Sequence, residues 1–259
     1  YDPSLHTRVF INSEGLPVYE AKDLGLAKVK FETYPCDQSI IVTANEQSGY
    51  FKVLLKALEL VLPELAQKTK HIAHGTLRLP TGKMSSRTGD VITAESLIDT
   101  VKEKVKGDEA VAIGAIKYMI LRQSIGNDII FDLEKSVSTE GDSGVYLQYA
   151  HARTNSLLEK AKEEKMKGDA NGERKETHEI EKLLYRFPEI VERAGVDYSP
   201  NIIVTYLTEL AGSFNNFYAH EQIISDDAES PYRIAVVEAF RTVMKNGLNI
   251  LGIPAPERM

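Results

Sequence analysis

The chain has 259 residues, 42% of them hydrophobic and 27% charged, with a formal net charge of −7. That composition is ordinary for a globular protein of one large or two modest domains; no apolar run reaches the ~18 residues of a membrane helix, and residues 1–12 lack the basic start and apolar core of a signal peptide. The acidic balance argues against wholesale coating of nucleic acid, although a local basic groove stays open because phosphate contacts depend on where charge sits.

The lone Cys36 cannot close an internal disulfide, which points to a reducing, cytoplasmic setting, and sulfur is too scarce for a zinc site. The six histidines show no ligand spacing, so no metal site is expected.

In chain order, residues 8–11 and 16–18 read as short extended segments split by the turn Ser13-Glu14-Gly15. Residues 19–28 look helical. Residues 39–44 (SIIVTA) form a short, β-rich and almost continuous apolar run, which predicts a strand buried on both faces. Residues 51–65 place Val53, Leu54, Ala57, Leu58, Val61, Leu62 and Leu65 at helical spacing, and 70–77 return as a strand. Strand, helix, strand implies a crossover in a parallel sheet. The unit lacks the earlier strands that normally complete a nucleotide-binding sheet, so it reads as half a domain.

From Ala94 the pattern is almost wholly helical: 94–105 after the N-cap Thr93, then 109–125, with a short strand at 128–133. The turn-rich break 141–144 carries the expected domain boundary, dividing the chain into 1–142 and 143–259. A helix at 145–167, a polar link at 168–176, and helices near 177–193, 201–224 and 231–251 follow.

The most informative stretch is TGKMSSRTGD, residues 81–90. Its glycines bracket a cation, two hydroxyls and exposed amides, between a strand and a helix. Such a loop can close over a polyphosphate and neutralise charge building on a leaving pyrophosphate. An isolated KxSS would more often be a solvated turn. Here Lys83, Met84, Ser85, Ser86 and Arg87 resemble the KMSKS signature of class I aminoacyl-tRNA synthetases in its arginyl form, with Thr88 where that family often has lysine.

The resemblance covers nearly the whole chain. Tyr19 and Asp23, one helical turn apart, and Gln47 after the next strand match the residues with which arginyl-tRNA synthetases recognise arginine. Positions i and i+4 share a helix face, and a carboxylate beside an aromatic ring suits a guanidinium. Taken alone, the pair would more often be a core edge and a solvated acid. The family's Gln-x-x-His-Phe reads Gln47-Ser48-Gly49-Tyr50-Phe51 here, with Tyr50 replacing the histidine. His71 to Gly75 is similar to the family's segment lining the adenine pocket, with His74 in place of its aromatic residue, and the resemblance implies ATP contacts at His71, Gly75, Lys83 and Met84. A satisfied strand histidine is an equal reading of His71.

Downstream, the segment from Gly144 to Arg153 resembles the opening of the family's helical anticodon-binding domain, and Phe214-Asn215-Asn216-Phe217-Tyr218, Asn246-Gly247-Leu248 and the terminal Pro256 to Met259 extend the match. Without the family, Tyr146, Tyr149 and Arg153 form a stripe that is more often core packing than RNA contact. With it, Tyr149, Arg153, Asn215, Tyr218 and Met259 are the implied anticodon contacts.

The resemblance therefore implies part of an arginine–tRNA ligase. Its fold would be a partial Rossmann-like α/β domain followed by an all-α anticodon-binding bundle. Its substrates would be arginine, ATP with Mg²⁺ and the tRNA for arginine, with Lys83, Ser85 and Ser86 as catalytic residues. A cytoplasmic monomer with no membrane partner and no tightly bound cofactor is expected. The chain shows no HIGH motif and no tRNA-elbow domain, so on its own it is expected to be catalytically incomplete. Two other readings are a tRNA-binding module without catalysis, which needs neither the Lys83 loop nor the Tyr19/Asp23 pair, and a cysteinyl-type synthetase, whose zinc-bound cysteine site a single Cys36 cannot make.

Overall fold

A computed structural model describes residues 3, 5–78, 80 and 93–259 and divides them into two compact units. The first holds residues up to Thr76 with Ile125–Asp128; the second holds Leu77–Ser124 and Ile129–Met259.

In the first unit, Asn12 accepts the Leu16 amide across a turn in which Gly15 takes a positive φ of 78°, and Ile11 bridges Pro17 antiparallel. Helix α1 runs Tyr19–Thr33, longer than the sequence pattern suggests, since only Pro35 beyond it forbids continuation. Strand β1 (Ser39–Ala44) leads through a 3₁₀ turn, Asn45–Gln47, into α2 (Ser48–Val61), α3 (Pro63–Gln67) and β2 (Thr69–His74). β1 and β2 pair in parallel from Ser39↔Thr69 to Ala44↔His74, as a strand–helix–strand crossover requires.

The sequence expectations for this unit need three corrections. The single helix at 51–65 is two, because Pro63 pushes Leu62 out of the helical region (φ −140°, ψ 67°). The strand at 70–77 stops at His74, because Gly75 backs directly onto the Asn127 carbonyl, where a Cβ would lie 1.8 Å from its oxygen. And β1 is not buried on both faces. Ile41 faces α1 and α2, while Ile40 and Val42 remain 45% and 61% exposed, since no described element covers that face.

In the second unit a short parallel pair, β3 (Leu77–Arg78) with β4 (Ile129–Ile130), replaces the longer strand expected at 128–133. Around it lie α4 (Ala94–Lys104), α5 (Glu109–Leu121) and α6 (Leu133–Ser136). Thr93, Asp108 and Asp132 cap these three, each accepting from the third backbone amide beyond it. The long helices α7 (Gly144–Glu163), α8 (Glu179–Asp197), α9 (Pro200–His220) and α10 (Ser230–Ile250) complete a bundle packed around Leu147, Leu207, Leu210, Phe214, Val237, Phe240 and Met244.

The break expected at 141–144 has a structural role. Ser143 caps α7 by accepting the Tyr146 amide, and Gly144 presses α7 onto α5, where an added Cβ would meet the Gly114 carbonyl at 2.2 Å. Gly144→Ala is therefore expected to destabilise this unit by at least ~1–3 kcal/mol, the range for overpacking, read as a lowered urea midpoint with unchanged slope.

The loop between α9 and α10 is ordered by charge. Buried Arg233 donates to both oxygens of Asp227 at 2.6 Å and lies 3.8 Å from Glu221 and Glu229. Arg233 and Ser225 together pull the Asp227 carboxyl from 3.8 down to about 2. A depressed carboxyl stabilises the fold above its ordinary range, and that contribution is lost as pH falls from about 4 towards 2. Thermal melting should drop across that window, and drop less steeply in Asp227→Asn.

Candidate functional site

The residues singled out by sequence fall into separate places. Lys83, Met84, Ser85 and Ser86 lie outside the described residues. In the first unit Asp23, half-buried on α1, accepts a hydrogen bond from the Tyr50 hydroxyl on α2 at 2.5 Å. Tyr19, one turn earlier, is 79% exposed with Lys22 over its ring at 5.9 Å, and Gln47 is exposed at the start of α2. Of these three, Asp23 bonds to a neighbouring helix, while Tyr19 and Gln47 are exposed.

His71 sits on β2 with its ring stacked on Phe51 at 4.1 Å and its Nε2 paired with the Thr43 hydroxyl at 2.8 Å. Burial lowers its pKa, which keeps it neutral. Its side chain is thus committed within the unit. His74 turns back to the Gly75 carbonyl.

In the second unit the structure brings four of the five candidates together. Arg153 of α7 lies over the ring of Tyr149 at 4.9 Å and over that of Tyr218, from α9, at 5.3 Å. Its guanidinium donates to the Tyr149 hydroxyl at 3.2 Å and reaches Asn215 Oδ1 at 3.5 Å, while Asn215 donates to the Tyr146 hydroxyl at 2.8 Å. Tyr149 and Tyr218 are 39% and 40% exposed, whereas Phe214 beneath Tyr218 is fully buried. The stripe that periodicity alone assigned to the core is a half-exposed aromatic and cationic surface on that core. Such a surface offers ring faces for stacking bases, a guanidinium for phosphates or base edges, and an amide for a further edge contact.

Met259 is 50% exposed, and among the described residues no hydrogen bond links it to that cluster. The segment before it lies along another face of α7. Gln148 donates to the Pro254 carbonyl, His151 to that of Pro256, Asn155 to that of Glu257, and Arg258 pairs with Glu159. The sequence marks this terminus as part of the family match, but only the structure shows that it is held by Gln148, His151, Asn155 and Glu159 of α7. Also unannounced by spacing is the gathering of Glu176, His178 and Glu221, whose ligand-type atoms lie within 4.8 Å of one another. Among the described residues, no helix is long and apolar enough to cross a membrane.

The family described as tRNA synthetases class I (R), catalytic domain, matches residues 3–133, half of the chain, and the DALR anticodon binding domain family matches residues 147–259. The chain belongs to the class I arginyl-tRNA synthetase family.

Among curated relatives, an arginine–tRNA ligase of Streptococcus agalactiae is 36% identical over 270 residues, covering 98% of this chain and 48% of the relative. One from Treponema denticola is 36% identical with the same coverage. The chain thus spans about half the length of the curated relatives it matches. Among solved structures, the arginyl-tRNA synthetase of Thermus thermophilus matches with a TM-score of 0.80 at 26% identity, covering 97% of this chain and 51% of that one. The parallel α/β unit followed by helices is the expected class of fold, and the all-α region 147–259 coincides with the anticodon-binding family.

Proposed function

We propose that this chain provides part of the arginine and ATP sites, and the anticodon-binding bundle, of an arginine–tRNA ligase. In this reading residues 1–142 serve the catalytic part and residues 143–259 the anticodon-binding part. In that reaction the arginine carboxylate attacks the α-phosphate of the Mg²⁺–ATP substrate and pyrophosphate leaves. The arginyl group then passes from the adenylate to the terminal adenosine of its tRNA, releasing AMP. Tyr19, Asp23 and Gln47 hold arginine. His71 and Gly75 lie beside the adenine, the former through its strand backbone because its ring is occupied. Lys83, Ser85 and Ser86, with Met84, close over the phosphates and stabilise the departing pyrophosphate. Tyr149, Arg153, Asn215, Tyr218 and Met259 meet the anticodon.

The observation that carries the RNA half is Arg153 lying over two half-exposed tyrosines from different helices. With a net charge of −7, phosphate attraction alone is a poor source of affinity, so stacking must carry much of it. Tyr218→Ala is expected to weaken binding of the chain to an arginine-tRNA anticodon stem-loop by about 1–3 kcal/mol, the range for one stacked base, with little change in melting temperature. Unchanged affinity would remove Tyr218 as a contact; collapse of the fold would make it a core residue.

A further inference from the structure

Asp23 does not stand alone. Its Oδ2 takes the Tyr50 hydroxyl at 2.5 Å across the gap between α1 and α2. Tyr50 is itself held on two sides, by the edge of Phe51 at 5.2 Å and 85° and by the Arg8 guanidinium 5.5 Å from its ring centroid. Arg8 is in turn paired at 3.5 Å with buried Glu20, which precedes Asp23 by one turn on α1. These four residues form a continuous chain, Glu20–Arg8–Tyr50–Asp23, that ends at the carboxylate assigned to arginine.

We propose that Tyr50 is a positioning residue, which fixes the Asp23 carboxylate in the orientation that receives the guanidinium of arginine. The inference rests on the reading of Asp23 as an arginine contact. A free aspartate side chain turns about two bonds, and a donor anchored on a second helix removes that freedom before substrate arrives. Among the described residues only one oxygen is taken, so Oδ1 is open to a second donor, and a carboxylate has lone pairs enough to accept a guanidinium besides the phenol.

The chemistry also suits the charge balance. Burial, together with the bond to Asp23, holds the Tyr50 phenol above its ordinary range, so it remains a neutral donor. A cationic donor at this position would instead cancel part of the charge that the guanidinium needs. The tyrosine standing where the family usually has histidine thus supplies orientation without competing charge.

A double-mutant cycle on the complete gene product tests this, with arginine KM, ATP KM and melting temperature measured for Tyr50→Phe, Asp23→Ala and the pair, and for Asp23→Asn alone. Tyr50→Phe keeps the ring and loses only the hydroxyl. It is expected to raise the arginine KM about tenfold or more, as for a hydrogen bond to a charged group, and to leave the ATP KM unchanged, with at most a small drop in melting temperature. In the Asp23→Ala background the same change should add little. Additive effects, or an unchanged arginine KM in Tyr50→Phe while Asp23→Asn is impaired, would overturn the positioning role and leave the arginine site standing. An arginine KM untouched by Asp23→Asn, or no dependence on arginine in the unaltered protein, would instead defeat the arginine-site reading, and this inference with it.

Discussion

Asp23→Asn in the complete gene product is expected to raise the KM for arginine by roughly 30-fold or more while the KM for ATP holds. A desolvated charge pair truncated on one side costs about 2–5 kcal/mol, and the lower end of that range is already a factor of about 30. Asparagine keeps the size of the side chain and can still accept the Tyr50 hydroxyl, so the link between α1 and α2 survives and the lost quantity is charge. The prediction therefore separates recognition from folding. Steady-state charging kinetics at varied arginine and varied ATP check it; equal increases in both KM values would mean that Asp23 serves the unit's structure.

The largest stability effect is expected at Phe214. Its ring is fully buried and stacked on Phe240 at 4.1 Å and 15°, joining α9 to α10 directly beneath Tyr218. Phe214→Ala should cost ~3–5 kcal/mol, the range for removing a buried aromatic side chain. Tyr218, four residues later on the same helix, lies partly in solvent and should cost far less. Urea unfolding of the two variants measures the contrast. A larger loss in Tyr218→Ala than in Phe214→Ala would invert the assignment of core and surface on this helix.

Much of this was legible in the sequence because local chemistry and tertiary context agree. The cap Thr93, the alternation of β1, α2 and β2, and the helical period of α7 to α10 all survive folding with small shifts at their ends. Where sequence reading failed, a single residue or a distant neighbour decided. Pro63 splits one apolar run into two helices, and Gly75 ends β2 because Asn127, far away in sequence, occupies the space behind it. The exposed face of β1 was misread because SIIVTA reports hydrophobicity on both sides of a strand but not what covers each side.

For the sites, spacing carried more on helices than elsewhere. Tyr149 and Arg153 share a face of α7 by period alone, but their meeting with Asn215 and Tyr218 on α9 follows only from bundle packing. The same limit hid Tyr50. The sequence marked it as a departure from a family pattern, and only the approach of α2 to α1 shows that its hydroxyl reaches Asp23.

The central claim is tested most directly by attaching labelled amino acids to tRNA with the complete gene product. Arginine, Mg²⁺ and ATP should give acid-precipitable label on a tRNA with an arginine anticodon, and exchanging that anticodon for an unrelated one should sharply reduce it. Charging by another amino acid in preference to arginine, or no charging of any tRNA by a folded and complete protein, would contradict the account.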